Sequence, residues 1–351
     1  MDLCLCSVKT RDSARLSRVA ARCILANDQT SWGMQRPSVR APSSGIILGA
    51  LLLATAGVGC ARSHVESGRP PGIRGAAVLP RGHLLMVGGG PAPREIAQLF
   101  VNLAGGAGRA RVAVLPMASS VATTGPEKVS ELQGLGADAF VVQFERSAAD
   151  DDSIVRKIES ATGIWLSGGD QNRLMAAIGG SRSALAIRNR YAAGAVIGGT
   201  SAGAAVMSDV MITGDESRPG GVRPLTDSTQ SYVTIDRNNV VTAPGLGLLK
   251  GAIVDQHFVR RRRNNRLVSL SLEHPALFGV GIDESTAIHV RPDGSWLVAG
   301  ASVVVIFDAR TSTITAPGTT LGASGIMMQV LPAGSTFDPG TGRVTRLGSG
   351  R

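Results

Sequence analysis

The chain has 351 residues, 43% hydrophobic but only 3% aromatic, and a formal net charge of +10. That length fits one large domain or two small ones. A diffuse positive charge with few aromatic platforms argues against nucleic-acid binding. The cysteines are confined to Cys4, Cys6, Cys23 and Cys60, so the body of the chain has no disulfide framework, cysteine metal site or cysteine nucleophile.

Residues 1–33 are polar and basic with no sustained period, and read as a false extension upstream of a true start at Met34. Arg36 and Arg40 then precede an uncharged apolar run over residues 44–59, too short for the roughly 20 residues of a spanning helix. Small residues close it at Ala56-Gly-Val-Gly-Cys60. This is the plan of a secretory signal peptide over 34–60. Cys60 is expected to be the lipidated first residue of an extracytoplasmic mature chain, although Gly57 stands where leucine is usual. An ordinary secretory signal or an uncleaved anchor are the alternatives. Residues 61–80 read as a flexible tether.

From Gly82 strands and helices alternate. His83 to Gly90 reads as a buried strand ending in glycines, and Pro93 to Ala104 has apolar residues at helical spacing. Strands are expected over Arg111–Pro116, Ala139–Gln143, Gly163–Ser167 and Ala195–Gly199. Helices are expected over Glu127–Leu135, Asp151–Ala161, Gln171–Ile178 and Ser183–Ala193. The alternation implies an α/β fold with a mainly parallel sheet and helices on both faces, its active site at the carboxyl ends of strands. Beyond about Tyr232 the pattern becomes β-rich. The folded domain is expected over 81–334, with 335–351 a glycine-rich flexible tail. Gly88–Gly90 lacks the G-x-G-x-x-G pattern and no Walker sequence occurs, so nucleotide binding is not indicated.

Val196-Ile-Gly-Gly-Thr-Ser-Ala-Gly-Ala-Ala205 reads as a buried strand, a tight turn and a helix. Ser201 stands at that turn with Gly199 and Gly203 two residues to either side. This is the logic of a nucleophile elbow, with Thr-Ser-Ala in the middle; a turn that only packs a helix on a sheet is the plainer reading. Such a serine needs a base, and the domain offers His83, His257, His274 and His289. Only His257 sits beside a dense polar cluster, Val254-Asp-Gln-His-Phe258 followed by Val259-Arg-Arg-Arg-Arg263-Asn-Asn-Arg266. The arginines read either as a solvated helix face or as forks that clamp carboxylates. Asp255 and Glu284 are candidates for orienting His257; Asp255 is too close along the chain to be assumed, and Glu284 ends a strand in Gly281-Ile-Asp-Glu-Ser-Thr286. Gly168-Gly169 and the N–H of Ala202 are available as donors to an oxyanion.

Six blocks in order resemble the cyanophycinase branch of the peptidase E-like serine peptidases. They are Leu115-Pro-Met-Ala-Ser119, Gly168-Gly-Asp-Gln-Asn-Arg-Leu174, Gly199-Thr-Ser-Ala-Gly-Ala204, Gly245-Leu-Gly-Leu-Leu249, Asp255-Gln-His-Phe-x-x-Arg-x-Arg-x-x-Arg-Leu267 and Gly281-Ile-Asp-Glu-Ser-Thr286. The resemblance implies a three-layer α/β/α, class I glutamine-amidotransferase-like fold. It implies Ser201 as nucleophile, His257 as base and acid, and Glu284 as the residue orienting His257. Gly169 and Ala202 take the oxyanion positions. Asp170, Gln171, Asp255, Gln256, Arg261, Arg263 and Arg266 take positions around the substrate. The implied reaction is hydrolysis of cyanophycin to β-Asp-Arg dipeptides, without metal or cofactor, by a homodimer. An aspartyl dipeptidase of the same fold, or a silent binding lipoprotein, are the alternatives.

Overall fold

The computed structural model describes residues 80–218, 221–224, 234–315 and 318–350. Cys60, the apolar run and nearly all of the expected tether lie outside the described residues.

Strands β1 (His83–Val87), β2 (Arg111–Leu115), β3 (Asp138–Val141), β4 (Gly163–Leu166) and β5 (Val196–Thr200) alternate with helices α1 (Arg94–Leu103), α2 (Thr124–Gln133), α3 (Asp152–Glu159), α4 (Gln171–Ile178) and α5 (Arg182–Ala193). The short helix α6 (Ala202–Ala205) follows β5. Then come β6 (Val210–Arg218), β7 (Gly221–Pro224), β8 (Val240–Pro244), β9 (Ala252–Gln256), α7 (Asn264–Glu273), β10 (Phe278–Ile282), β11 (Thr286–Val290), β12 (Trp296–Gly300) and β13 (Val303–Asp308). The last strands are β14 (Thr313–Ile314), β15 (Ala323–Ser324), β16 (Met327–Pro332), β17 (Thr336–Asp338) and β18 (Arg343–Arg346).

The nine-stranded central sheet runs β18-β17-β12-β11-β1-β5-β4-β2-β3. Its β1-β5-β4-β2-β3 half is parallel, and β11 joins β1 antiparallel. The parallel strands are apolar without alternation because both faces are covered. In β1, Leu84 and Met86 enter one core and Leu85 and Val87 the other. A second sheet, β16-β13-β10-β9, and a three-stranded sheet, β7-β6-β8, account for the β-rich second half.

Two expectations are corrected. Residues 335–350 are not a slack tail: β17 pairs with β12 and β18 with β17, carrying the folded domain through the end of the described chain. Phe337 explains this, being fully buried with its ring 5.2 Å from that of Trp296 and 5.3 Å from that of Phe278. The glycines there serve turns; Gly342, at φ 71°, closes the β17–β18 hairpin. The arginine run is also not a helix face. α7 begins only at Asn264, and residues 259–263 form turns with Arg262 at φ 53°.

Candidate active site

The site is assembled at the carboxyl end of the central sheet, where β5, β1 and the β9/β10 pair meet. Ser201 follows β5 with φ 51° and ψ −111°, a strained pair for a residue carrying a side chain. Its backbone N–H donates to the Val87 carbonyl at 2.9 Å, and its carbonyl accepts from Ala204 and Ala205 at 3.0 Å each. A side chain at Gly203 would collide with the Leu166 carbonyl, and a Cβ at Gly199 would lie 2.6 Å from Gly203 backbone. These glycines therefore let the helix approach the sheet closely enough to present the serine.

His257 arrives from the other sheet, directly after β9, also at positive φ (49°). Its N–H donates to the Gly88 carbonyl at 2.7 Å. Its ring Nε2 lies 2.8 Å from Ser201 Oγ, and its Nδ1 lies 2.7 Å from Glu284 Oε1. Glu284 stands in the turn where the chain passes from β10 in one sheet to β11 in the other. With Nδ1 donating to the carboxylate, Nε2 is left as an acceptor facing the serine hydroxyl. Burial lowers the His257 pKa, the bond to Glu284 opposes this, and the charges of Arg261 and Arg263 add to the lowering. The ring is thus neutral at pH 7 and able to take a proton.

Gly88–Gly90, which sequence reasoning left without a role, forms the floor of this arrangement. A Cβ on Gly89 would strike the His257 ring, and one on Gly90 would lie 2.9 Å from the Glu284 carboxylate. Gly89 also accepts from the Ser285 N–H at 2.9 Å. Asp283 was likewise not singled out. Its carboxylate accepts from the Arg260 N–H at 2.9 Å and from Ser302 Oγ at 2.7 Å, pinning the turns on either side of the site. The glycine triplet after a strand was the visible signal; for Asp283 it was its place in the Gly281–Thr286 block, where only Glu284 was given a role.

Gly168 faces the serine, with its Cβ position 3.5 Å from Ser201 Cβ. Gly169 has φ 138° and abuts the Ala118 carbonyl, a place no side chain fits. Ala202 opens α6, so its N–H belongs to the first turn beside the serine.

The residues expected around the substrate divide sharply. Asp170 is exposed but caps α4, accepting from Asn172 N–H at 2.7 Å and Arg173 N–H at 3.4 Å. Gln171 is buried and donates to the Ile212 and Thr213 carbonyls at 2.9 and 2.5 Å, tying α4 to β6. Asp255 is fully buried and receives both Arg266 and Arg263. Arg266 is only 1% exposed, so in this conformation it supports the site through Asp255 rather than by touching a substrate. Arg263 also donates to the Gln256 carbonyl at 2.7 Å, and burial brings its pKa down to about 10. The Gln256 side chain is buried with Oε1 unpartnered. Arg261 is half-buried and follows His257 closely, its N–H donating to the His257 carbonyl at 2.9 Å. Among the described residues no group of three or more His, Cys, Asp or Glu is placed to hold a metal ion.

A family model described as Peptidase family S51 matches residues 84–298. The cyanophycinase of Geminocystis herdmanii is 36% identical over 245 residues, covering 68% of this chain and 85% of that protein. The cyanophycinase of a Nostoc species is 36% identical over 226 residues, covering 63% and 71%. Among solved structures, a peptidase from an acI-B1 Actinobacterium shares the fold, with a TM-score of 0.54 at 22% identity over 73% of this chain and 96% of that one.

Proposed function

This chain belongs to peptidase family S51, and we propose that it is a serine exopeptidase that hydrolyses cyanophycin to β-Asp-Arg dipeptides through an acyl-enzyme on Ser201. The observation that carries the mechanism is the unbroken line from Glu284 Oε1 through His257 to Ser201 Oγ, at 2.7 and 2.8 Å. Ser201 Oγ attacks the scissile carbonyl while His257 Nε2 takes its proton. Glu284 holds the ring by its Nδ1–H and stabilises the imidazolium that forms. The N–H groups of Gly169 and Ala202 receive the oxyanion, a contribution of roughly 3 kcal/mol per donor in comparable sites. His257 then passes the proton to the leaving amine. A water molecule, deprotonated by the same ring, releases the acyl group.

Each repeat of cyanophycin presents an arginine α-carboxylate and a guanidinium, so a basic and an acidic contact are both needed. Arg261 is our candidate for the carboxylate and Asp170 for the guanidinium. The apolar run at 44–59 supports extracytoplasmic action, with Cys60 as a lipid anchor, and the family resemblance alone suggests a homodimer; the mass of the mature protein tests the first two and its mass in solution the third. The central test is incubation of purified protein with cyanophycin. Release of β-Asp-Arg, abolished in Ser201→Ala and His257→Ala proteins that remain folded, is expected. Cleavage of α-aspartyl dipeptides alone would replace this reading with the dipeptidase.

A further inference from the structure

A cavity of about 460 Å³ opens at the carboxyl end of β2 and β3, beside the face of α4. Its floor is apolar, from Met117 and Phe144, and its walls carry Glu145, Arg146 and Arg173. Arg146 is paired with Asp150 at 3.2 Å. Glu145 and Arg173 are exposed, and among the described residues neither side chain has an ion-pair or hydrogen-bond partner. One carboxylate and one guanidinium with no protein partner among the described residues therefore line a single cavity.

The cavity is mechanically joined to the candidate site. The β2–α2 loop that lines it includes Ala118, whose carbonyl accepts the Asp170 N–H at 2.9 Å and abuts Gly169. Arg173 lies on the first turn of α4, three residues after Asp170. In the sheet, β4 alone separates β5, which ends at the serine, from β2, which leads into this loop. Two inter-strand spacings put the two strand ends about 10 Å apart. An extended chain advances about 3.3 Å per residue, so a polymer threaded from the serine reaches the cavity about three residues away.

We infer that this cavity is a second subsite, which holds a β-Asp-Arg unit about three repeats from the scissile bond. Arg173 receives that unit's arginine carboxylate and Glu145 its guanidinium. Each repeat carries one group of each sign, and a wall with one partner of each sign matches a zwitterionic repeat better than a uniformly basic or acidic ligand. The inference rests on the reading of the chain as a β-Asp-Arg polymer hydrolase. Its consequence is a preference for polymer over short fragments, because the distal contact is available only to chains long enough to reach it.

The test separates the two claims. Binding of (β-Asp-Arg) oligomers of one to five units is measured by calorimetry on Ser201→Ala protein, alone and with Glu145→Gln and Arg173→Gln added. Affinity is expected to step up by about fivefold to tenfold between two and four units, and the step to vanish in the triple variant. Circular dichroism of these exposed-site variants checks that they fold. A length dependence unchanged by the two added substitutions, or no binding at any length, overturns the subsite. Hydrolysis of the same oligomers by protein with Ser201 intact reports separately: a binding step without product release leaves the subsite standing and overturns the peptidase reading.

Discussion

The pairing of Asp255 with Arg266 makes a prediction that separates two roles for the arginine cluster. Both residues are essentially without solvent contact, and Arg266 uses Nε and a terminal nitrogen to grip both carboxylate oxygens. Asp255→Ala leaves a buried guanidinium with its main countercharge gone. Removing one partner of such a pair costs about 3–5 kcal/mol, whereas replacing both by apolar groups of similar volume is far milder. In a domain of this size about 4 kcal/mol lowers the melting temperature by about 10 °C. Thermal and urea unfolding of Asp255→Ala, Arg266→Met and the double variant Asp255→Leu/Arg266→Met would give the coupling energy. Each single variant is expected to be strongly destabilised and the double variant much less so. If instead Arg266→Met melts within about 2 °C of the parent while KM rises more than tenfold, the arginine is a substrate clamp and the structural argument is wrong.

Gly89→Ala places a methyl group into the His257 ring at a φ of 102°, so kcat is expected to fall at least about a hundredfold with the fold retained; near-normal kcat would contradict the placement of the ring. Because His257 must be neutral to act and burial holds its pKa below 6.5, kcat/KM should stay level on acidification to about pH 6.5 and fall only below it. Arg261→Ala removes a charge that depresses this pKa, so the acid limb should move to higher pH; a shift to lower pH refutes the assignment. At the far end of β1, His289 Nε2 sits 2.9 Å from His83 Nδ1, and burial brings His289 down to about 4. The unfolded chain takes up protons near pH 6.5 that the folded chain refuses, so stability is complete above that value and declines toward pH 4, by up to about 3 kcal/mol. His289→Gln should flatten this decline in urea titrations, and a parallel decline in the variant would rule the pair out as its source.

What could be read from the sequence follows the range of the interactions concerned. The strand–helix alternation and the turn at Ser201 depend on residues within about ten positions of each other, and the parallel half of the central sheet falls where the apolar runs and glycines place it. The site itself joins Val87, Ser201, His257 and Glu284, which are contiguous only because two separate sheets converge. No spacing encodes that; the family resemblance alone linked Ser201, His257 and Glu284 in advance, and nothing pointed to Val87. Gly88–Gly90 read only as the glycine end of a strand because its purpose, clearing room for an imidazole and a carboxylate, depends on residues over 160 positions away. The tail misled for a related reason: glycine content suggested slack, but a single Phe337 finding Trp296 and Phe278 was enough to hold two strands. The arginines show the limit most clearly. A guanidinium read in sequence offers the same fork to any carboxylate, internal or foreign. Folding delivers Asp255 to Arg266 before substrate can compete, and burial then makes that choice costly to reverse. Arg263 shares the same carboxylate at 3.4 Å, so the cluster's first effect is to brace the strand end that carries His257; burial does most to hold that imidazole neutral, and the charges of Arg261 and Arg263 only add to it.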